Sequence, residues 1–171
     1  MLPEQGTSEE GTAVHGTAPE DLSEERLVGS WHLVSHFFLA EDGSTRPGPC
    51  GEHAEGLLIY DGRGYMSAAL MRTGHPDADA SGTPAGYMGY SGRWRVAGDR
   101  VVHEVLVSSH PRIVNTEQVR EARLDDGRLT LRERLGGAPR SLVLQWRRAD
   151  PTPTDRKVTQ MNGIDIAGGA S

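Results

Sequence analysis

Residues 29–40 read Gly29-Ser-Trp-His-Leu-Val-Ser-His-Phe-Phe-Leu-Ala40 and follow the short stretch Asp21-Leu-Ser-Glu-Glu-Arg-Leu27. Apolar and polar side chains in this segment repeat with a period of two, which is typical of a β-strand with two different faces. One face is expected to carry Trp31, Leu33, Ser35 and Phe37. The preceding stretch predicts a short helix, with Ser23 placed to cap its N-terminus and acids in its first turn.

Turn signals divide the rest of the chain into seven further strands. Gly-rich turns such as Asp61-Gly-Arg-Gly64 separate the apolar runs. The predicted strands cover residues 56–60, 65–72, 87–96, 101–109, 116–124, 129–135 and 141–148. Eight antiparallel strands in sequence order predict an all-β, up-and-down barrel, whose closure removes exposed edges. The alternative is a β-sandwich, which usually needs longer crossovers than these turns allow.

The two ends of the chain differ in composition from its middle. Residues 1–21 are rich in Gly, Thr, Glu and Ala, and residues 150–171 are rich in Pro, Thr and Gly. Neither segment can bury enough apolar surface to offset its ordering entropy. We expect a flexible acidic arm over 1–21, a barrel over 22–149 and a disordered tail over 150–171. The arm is either a lid over a bound ligand or a solubilising extension, and a long loop is expected over 73–85.

Overall charge and cysteine content exclude several classes of function. The 171 residues carry a formal charge of −6, which argues against nucleic-acid and membrane partners, because these need a basic surface. Cys50 is the single cysteine, so neither an intramolecular disulfide nor a cysteine-based metal site is expected. No apolar run approaches the roughly 18 residues of a membrane-spanning helix, and no signal peptide is evident, which predicts a cytoplasmic protein. Whether it forms a homodimer is left open.

Several segments resemble the bacterial lipocalin-like domain proteins, which fold as calycin-type β-barrels. Gly29-Ser-Trp31 after a short helix matches the Gly-x-Trp signature of lipocalins, and Arg147 or Arg148 on the last strand is placed to cover the tryptophan. The more specific matching segments are Gly56-Leu-Leu-Ile-Tyr60, Asp61-Gly-Arg-Gly-Tyr-Met-Ser-Ala68, Tyr90-Ser-Gly-Arg-Trp94 and Thr116-Glu-Gln-Val-Arg120. The resemblance spans about residues 26–148 and implies a lipocalin-like barrel with an apolar cavity open at one end.

Two functions follow from this resemblance. Some similar proteins of natural-product gene clusters are cofactor-free cyclases, including [4+2] Diels–Alderases, that fold a linear polyketide-like intermediate inside the barrel. The first hypothesis is therefore a cyclase of this kind acting on a hydrophobic substrate, with no metal and no cofactor. The second is a non-catalytic binding or carrier protein for a small hydrophobic ligand, which needs the same cavity.

Strand parity nominates the side chains that face the cavity. His103 is a candidate general acid or base, Gln118 could orient a carbonyl, and Arg120 could hold an enolate or tetramate oxygen. Each of these has a structural alternative, which for Arg120 is bridging carbonyl groups or forming an ion pair with Glu104 or Glu133. The residues expected to contact substrate are Phe37, Tyr60, Met66, Tyr90 and Trp94.

Other parity predictions concern the neighbouring strands. In strand 101–109, Val101, His103, Val105 and Val107 are expected to face inward. At the 60–65 hairpin the two tyrosines are expected to share one face, and Ile59 and Met66 the other, and which of these faces points inward is left open.

No conventional catalytic motif stands out in the sequence. His32 and His36 share a face of a predicted strand, but at roughly 13 Å apart they do not predict a metal pair. Cys50 and His53 lack a third catalytic group. The chain has no Gly-x-Gly-x-x-Gly, Walker or Gly-x-Ser-x-Gly motif, so nucleotide-dependent and serine-hydrolase chemistry are not expected.

Overall fold

The computed structural model describes residues 22–73 and 86–149. The predicted acidic arm, most of the predicted 73–85 loop and the predicted tail lie outside the described residues. Within those two ranges, no helix is long and apolar enough to cross a membrane.

Strands dominate the described chain. The elements are α1 (Glu24–Leu27), β1 (Gly29–Ala40), β2 (Thr45–Pro47), β3 (Ala54–Tyr60), β4 (Tyr65–Arg72), β5 (Tyr87–Ala97), β6 (Arg100–Ser108), a 3₁₀ turn (Pro111–Ile113), β7 (Glu117–Asp125), β8 (Arg128–Arg134) and β9 (Arg140–Arg148). The bounds of the eight predicted strands agree with the structure to within two residues.

The strands form one antiparallel sheet that closes into a barrel. Neighbours follow the order β2-β1-β3-β4-β5-β6-β7-β8-β9, and β1 also pairs with β9. The predicted eight-stranded up-and-down barrel is therefore confirmed. The additional strand β2 pairs with the far end of β1. It was not predicted because it has only three residues, all exposed, and these are too few to show a period.

One end of the barrel is closed around Trp31. The tryptophan is fully buried, and its Nε1 donates a hydrogen bond to the Leu27 carbonyl at 2.9 Å. The guanidinium of Arg148 lies 4.3 Å from the centroid of the Trp31 ring and donates to the carbonyls of Val28 and Arg26. The predicted cover of the tryptophan by a last-strand arginine is confirmed. Ser23 is at the N-cap position of α1, but its side chain makes no capping hydrogen bond.

A β-bulge at Val34 changes the facing of the outer half of β1. Leu33 is opposite Trp146 and Ser35 is opposite Gln145, so Val34 is the extra residue. Beyond the bulge, His36 pairs with Leu144 of the interior face, while Phe37 pairs with Val143 of the outer face. Two predictions are thereby wrong: Phe37 does not share a face with Trp31, and His36 does not share one with His32. One inserted residue reverses the parity of all that follow.

A second bulge lies in β6 at Leu106. Ser91 is opposite Val107 and Gly92 is opposite Val105, so Leu106 is the extra residue. A Cβ at Gly92 would collide with the backbone carbonyl of Glu104. Only glycine therefore fits at this position of β5, opposite the bulge. Val107 is consequently 62% exposed, and the prediction that it faces inward is wrong.

Towards the open end, the barrel wall is split in two places. Pairing of β1 with β3 stops at His32 and Leu57, and pairing of β7 with β8 stops at Glu121 and Arg132. Beyond these points the strands form two leaves: a large leaf of β3–β7 and a small leaf of β8, β9, β1 and β2. The barrel is thus a continuous cylinder at its closed end and two separate leaves at its open end.

Arg148→Ala should lower the free energy of unfolding by about 1–3 kcal/mol, because it removes a cation–π contact and two charge-assisted hydrogen bonds. Urea unfolding followed by tryptophan fluorescence measures the change. Arg128→Ala is the matched control, since Arg128 is exposed at the same end of the barrel; its effect should stay within about 0.5 kcal/mol. Equal effects of the two substitutions would contradict a special role for Arg148.

Candidate functional site

Burial of the inward-facing side chains changes along the barrel axis. Near the closed end, residues such as Val101 and Leu129 are fully buried. Towards the open end, four inward-facing side chains are only half-buried, although Leu70 and His36 beside them are buried: Met88, Gln118, Glu133 and Leu142. We call these four residues the open cup. Solvent therefore reaches these four side chains of the open half, whereas the closed half is a solid core.

A hydrogen-bonded network of aromatic and charged side chains lies beneath the open cup. Its centre is His103, which is fully buried. The His103 Nε2 is 2.7 Å from the Tyr60 hydroxyl, and its Nδ1 is 2.9 Å from the Tyr90 hydroxyl. Arg120 Nη1 lies 3.3 Å from the same Nδ1. Side chains from β3, β5 and β7 of the large leaf thus contact the His103 imidazole of β6.

The arginine contact assigns the tautomer of His103. A guanidinium only donates hydrogen bonds, so the Nδ1 facing Arg120 must accept. The neutral ring then carries its proton on Nε2 and donates it to the Tyr60 hydroxyl. The Tyr90 hydroxyl is the second donor to Nδ1. Both ring nitrogens are satisfied in this arrangement, as a fully buried imidazole requires.

Arg120 connects the network to the open cup. Its Nη2 is 3.0 Å from Glu133 Oε2, and the Arg120 side chain is 5% exposed whereas that of Glu133 is 26% exposed. The arginine also lies 5.9 Å from the centroid of the Tyr90 ring. Of the two acidic partners considered for Arg120, the structure selects Glu133, because Glu104 is exposed on the outer face of β6. The ion pair neutralises the charge of the site.

Burial keeps the three rings of the network uncharged. It lowers the pKa of His103 well below its ordinary value of 6.5, and the positive charge of Arg120 lowers it further. Burial likewise raises the pKa of Tyr60 well above 10.0 and raises that of Tyr90. At neutral pH the network therefore offers neutral hydroxyl and imidazole groups beside a guanidinium. Such a set can polarise a carbonyl or stabilise an enolate without a metal.

The predicted site residues divide into two groups by depth. Tyr90, Gln118 and Arg120 lie at or just beneath the open cup, whereas Tyr60, Met66 and Trp94 are buried in the closed half. The Trp94 ring packs on Tyr60 with centroids 4.3 Å apart, and its Nε1 donates to the Asp61 carbonyl. The structure thus gives Trp94 a supporting position under the network. Contact of the deeper residues with a ligand stays a prediction.

Facing in the β3–β4 hairpin differs from the prediction. Tyr60 and Met66 are direct register partners, and both are buried. Tyr65 is half exposed and packs under Arg93 on the outer face. The prediction that the two tyrosines share a face is therefore wrong. The register of the turn, which sequence alone does not reveal, decides which side chains meet.

Gln118 faces the interior without joining the network. It is the register partner of His103, but its amide donates to Thr116 Oγ1 at 2.9 Å. Glu133 joins the network, although the sequence reasoning considered it only as a structural partner of Arg120. Its alternation with the buried Leu129 and Leu131 on β8 was the available signal.

Two clefts lie on the outside of the barrel wall, away from this network. A cleft of about 490 Å³ is lined by Ile59, Tyr65, Leu106 and Val107 among others. A second of about 470 Å³ lies where β1 and β3 part. Neither contains a network residue. The network is the candidate site, because buried polar groups converge there and the outer clefts lack a comparable buried set.

Metal-ligating side chains do not cluster in the described ranges. No three His, Cys, Asp or Glu residues come together there as a metal site requires. Cys50 is buried, and burial raises the pKa of its thiol.

Comparison with known families agrees with the geometry. The lipocalin-like domain family matches residues 28–149, so the chain belongs to that family. Its barrel and the polar network at mid-depth define the class of protein: a lipocalin-like barrel with an open, partly polar interior. No curated protein matches the sequence significantly.

Solved structures that are similar to this chain have low sequence identity to it. An uncharacterised protein from Bacteroides eggerthii is 14% identical, with 69% of this chain and 97% of that chain covered and a TM-score of 0.40. The fluorescent protein UnaG is 14% identical in its wild-type form, with 73% and 98% covered and a TM-score of 0.36. A mutant of UnaG is 15% identical, with 74% and 98% covered and a TM-score of 0.37.

Acidification should destabilise the protein through His103. Its pKa is lowered in the folded state, so below about pH 6.5 the unfolded chain binds a proton that the folded chain does not. Stability should then fall by up to about 1.4 kcal/mol per pH unit for that proton. Urea unfolding at intervals between pH 7 and pH 5 measures the slope.

Two variants separate the contribution of His103 to this pH dependence of stability from that of other groups. His103→Gln should flatten the slope, whatever its effect on absolute stability. His36 also has a pKa lowered by burial, so His36→Gln is measured alongside to subtract its share. A His103→Gln variant with the wild-type slope would show that His103 does not resist protonation in the folded protein.

Proposed function

We propose that the protein binds a small, mainly apolar molecule in the open cup and meets its polar group with Tyr90 and Arg120. The observation that supports this is the position of the network: hydrogen-bond donors lie directly beneath a half-open interior lined by Met88 and Leu142. Barrels of the lipocalin-like kind bind small hydrophobic ligands, and this chain belongs to that family.

The hydrogen-bonding groups beneath the open cup favour one type of polar group on the ligand. Arg120 only donates hydrogen bonds, and the Tyr90 hydroxyl can donate to an arriving acceptor in place of His103 Nδ1. A carbonyl, carboxylate or enolate oxygen matches these donors, whereas an ammonium group would face Arg120 with a like charge. The rest of the ligand would gain from burial against apolar walls at roughly 25 cal/mol per Å².

A fluorescent probe with this chemistry tests the proposal. We expect 11-(dansylamino)undecanoate, an apolar chain that ends in a carboxylate, to bind with enhanced dansyl emission. Leu142→Trp should weaken binding by about tenfold or more, because the larger side chain fills the open cup. Fluorescence titration gives the Kd, and thermal unfolding confirms that the variant folds.

Val107→Trp is the matched control, since Val107 lies on the outer wall beside the apolar cleft. It should leave the Kd of the probe unchanged. The reverse pattern, with binding lost in Val107→Trp and retained in Leu142→Trp, would move the ligand to the outer wall and overturn the proposal.

We propose cofactor-free ring closure as the second candidate function, with a polyketide-like substrate held in the open cup. Support comes from the uncharged His103–Tyr90 pair beside Arg120, which can polarise a carbonyl conjugated to the reacting double bond. Holding both ends of a flexible chain close together lowers the barrier further, because the ordering entropy is lost on binding. Neither contribution needs a metal or a cofactor.

A synthetic linear polyene with an acyl tetramate dienophile tests catalysis separately from binding. Catalysis predicts faster ring closure and one dominant stereoisomer, both reduced in Tyr90→Phe. Chromatography of the products over time gives the rate and the isomer ratio. An uncatalysed rate and isomer ratio, together with displacement of the dansyl probe by the polyene, would leave a binding protein and exclude this cyclase reaction.

A further inference from the structure

The split between β7 and β8 is bridged by side chains in place of backbone hydrogen bonds. Beyond Glu121 and Arg132, β7 keeps its pairing with β6 as far as Glu117, and β8 keeps its pairing with β9 as far as Arg134. The two strands stop pairing with each other although both continue. A closed barrel normally satisfies its backbone groups by pairing all round, so this interruption is a local feature of the wall.

Two ion pairs cross the split on opposite faces of the wall. On the inner face Arg120 contacts Glu133 at 3.0 Å. On the outer face Arg134 Nε lies 3.4 Å from Glu121 Oε1. The charge order is Arg-Glu along β7 and Glu-Arg along β8, so each carboxylate meets an arginine of the other leaf. We call these four residues the clasp.

The outer half of the clasp is suited to opening and closing. The side chains of Arg134 and Glu121 are 76% and 39% exposed, and exposed ion pairs contribute little to stability and are screened by salt. The inner half shares Arg120 with the network, since Arg120 Nη1 also contacts His103. Separation of the leaves would therefore take Glu133 away from Arg120 and free a hydrogen-bond donor of the ligand site.

The other split of the wall is sealed differently. Where β1 and β3 part, the Leu33 side chain packs closely over Gly56, and a Cβ at Gly56 would lie 3.1 Å from the Leu33 Cβ. The outer side of this split is the cleft of about 470 Å³, which is lined by polar groups such as His32, Glu55 and Arg147 as well as by Leu33 and Gly56. None of the residues that line it belongs to the His103 network, so an opening on this side would leave the partners of Arg120 in place.

We propose that the split between β7 and β8 is a lateral gate for the ligand, which the reciprocal ion pairs of the clasp hold closed. This inference rests on the proposed binding function. When the clasp opens, the large and small leaves separate at β7 and β8 and the ligand passes between them to Tyr90 and Arg120. When it closes, Glu133 returns to Arg120 and the network is restored around the bound molecule.

A gate changes the rates of ligand binding and release, whereas a residue that only contacts the bound ligand changes its affinity. Glu121→Gln combined with Arg134→Gln weakens the outer ion pair without touching the open cup. Association and dissociation rates of 11-(dansylamino)undecanoate should both rise, roughly two- to fivefold, while the Kd changes less than twofold. Stopped-flow dansyl fluorescence measures both rates.

Arg95 and Glu117 provide a matched control. They form an exposed ion pair at 3.0 Å that lies entirely within the large leaf, so Arg95→Gln with Glu117→Gln should leave both rates unchanged. Raising NaCl from about 0.05 to about 0.5 M should accelerate the wild type and not the neutralised clasp variant.

The outcomes separate the gate from the binding function. Probe binding with rates that neither the clasp variant nor salt alters would overturn the gate and keep the binding function. Equal acceleration in the control pair would also overturn the gate, because it would point to a general effect of surface charge. Failure of the wild type to bind the probe would overturn both.

Discussion

The contact of Arg148 with Trp31 is the constraint on which the rest of the barrel depends. It joins the last strand to the first and holds α1 across the same end, because the arginine covers the indole and also binds two carbonyls before β1. A barrel that closes on itself needs its first and last strands in one register. With this end fixed and filled by side chains, the opposite end can give up wall pairing without loss of the fold.

The polar network lies at the boundary between the filled, closed half of the barrel and its split, open half. His103 lies where the solid core ends, with Tyr60 below it and the Arg120–Glu133 pair on the side of the open cup. Full burial of an imidazole is tolerated because both nitrogens have partners, and the same burial keeps the ring neutral. Arg120 therefore contacts both the buried imidazole and the carboxylate across the split wall. Opening of the leaves would change the partners of a donor that a ligand would use.

The bulges explain which predictions of the site succeeded. On β7, where pairing with β6 is regular, parity correctly placed Gln118 and Arg120 on the face of His103. On β1 and β6 one extra residue reverses the facing, so Phe37 and Val107 point outward. No local signal marks Val34 as a bulged residue, because the segment around it alternates as a regular strand would. Only the partner strands show which residue is extra.

Sequence periodicity and turn chemistry by themselves determined the number of main strands, their order and their bounds, because these depend on local alternation and on glycine-rich turns. The Gly29-Ser-Trp31 segment, with an arginine at the end of the last strand, also predicted the closed end correctly, and the structure selects Arg148 over Arg147. Tertiary structure alone decided the two bulges, the end of β7–β8 pairing and the choice of Glu133 over Glu104 for Arg120. The physical reason is that register and burial belong to pairs of strands: a single strand carries its own period, but only its partners decide which side chains meet in the interior.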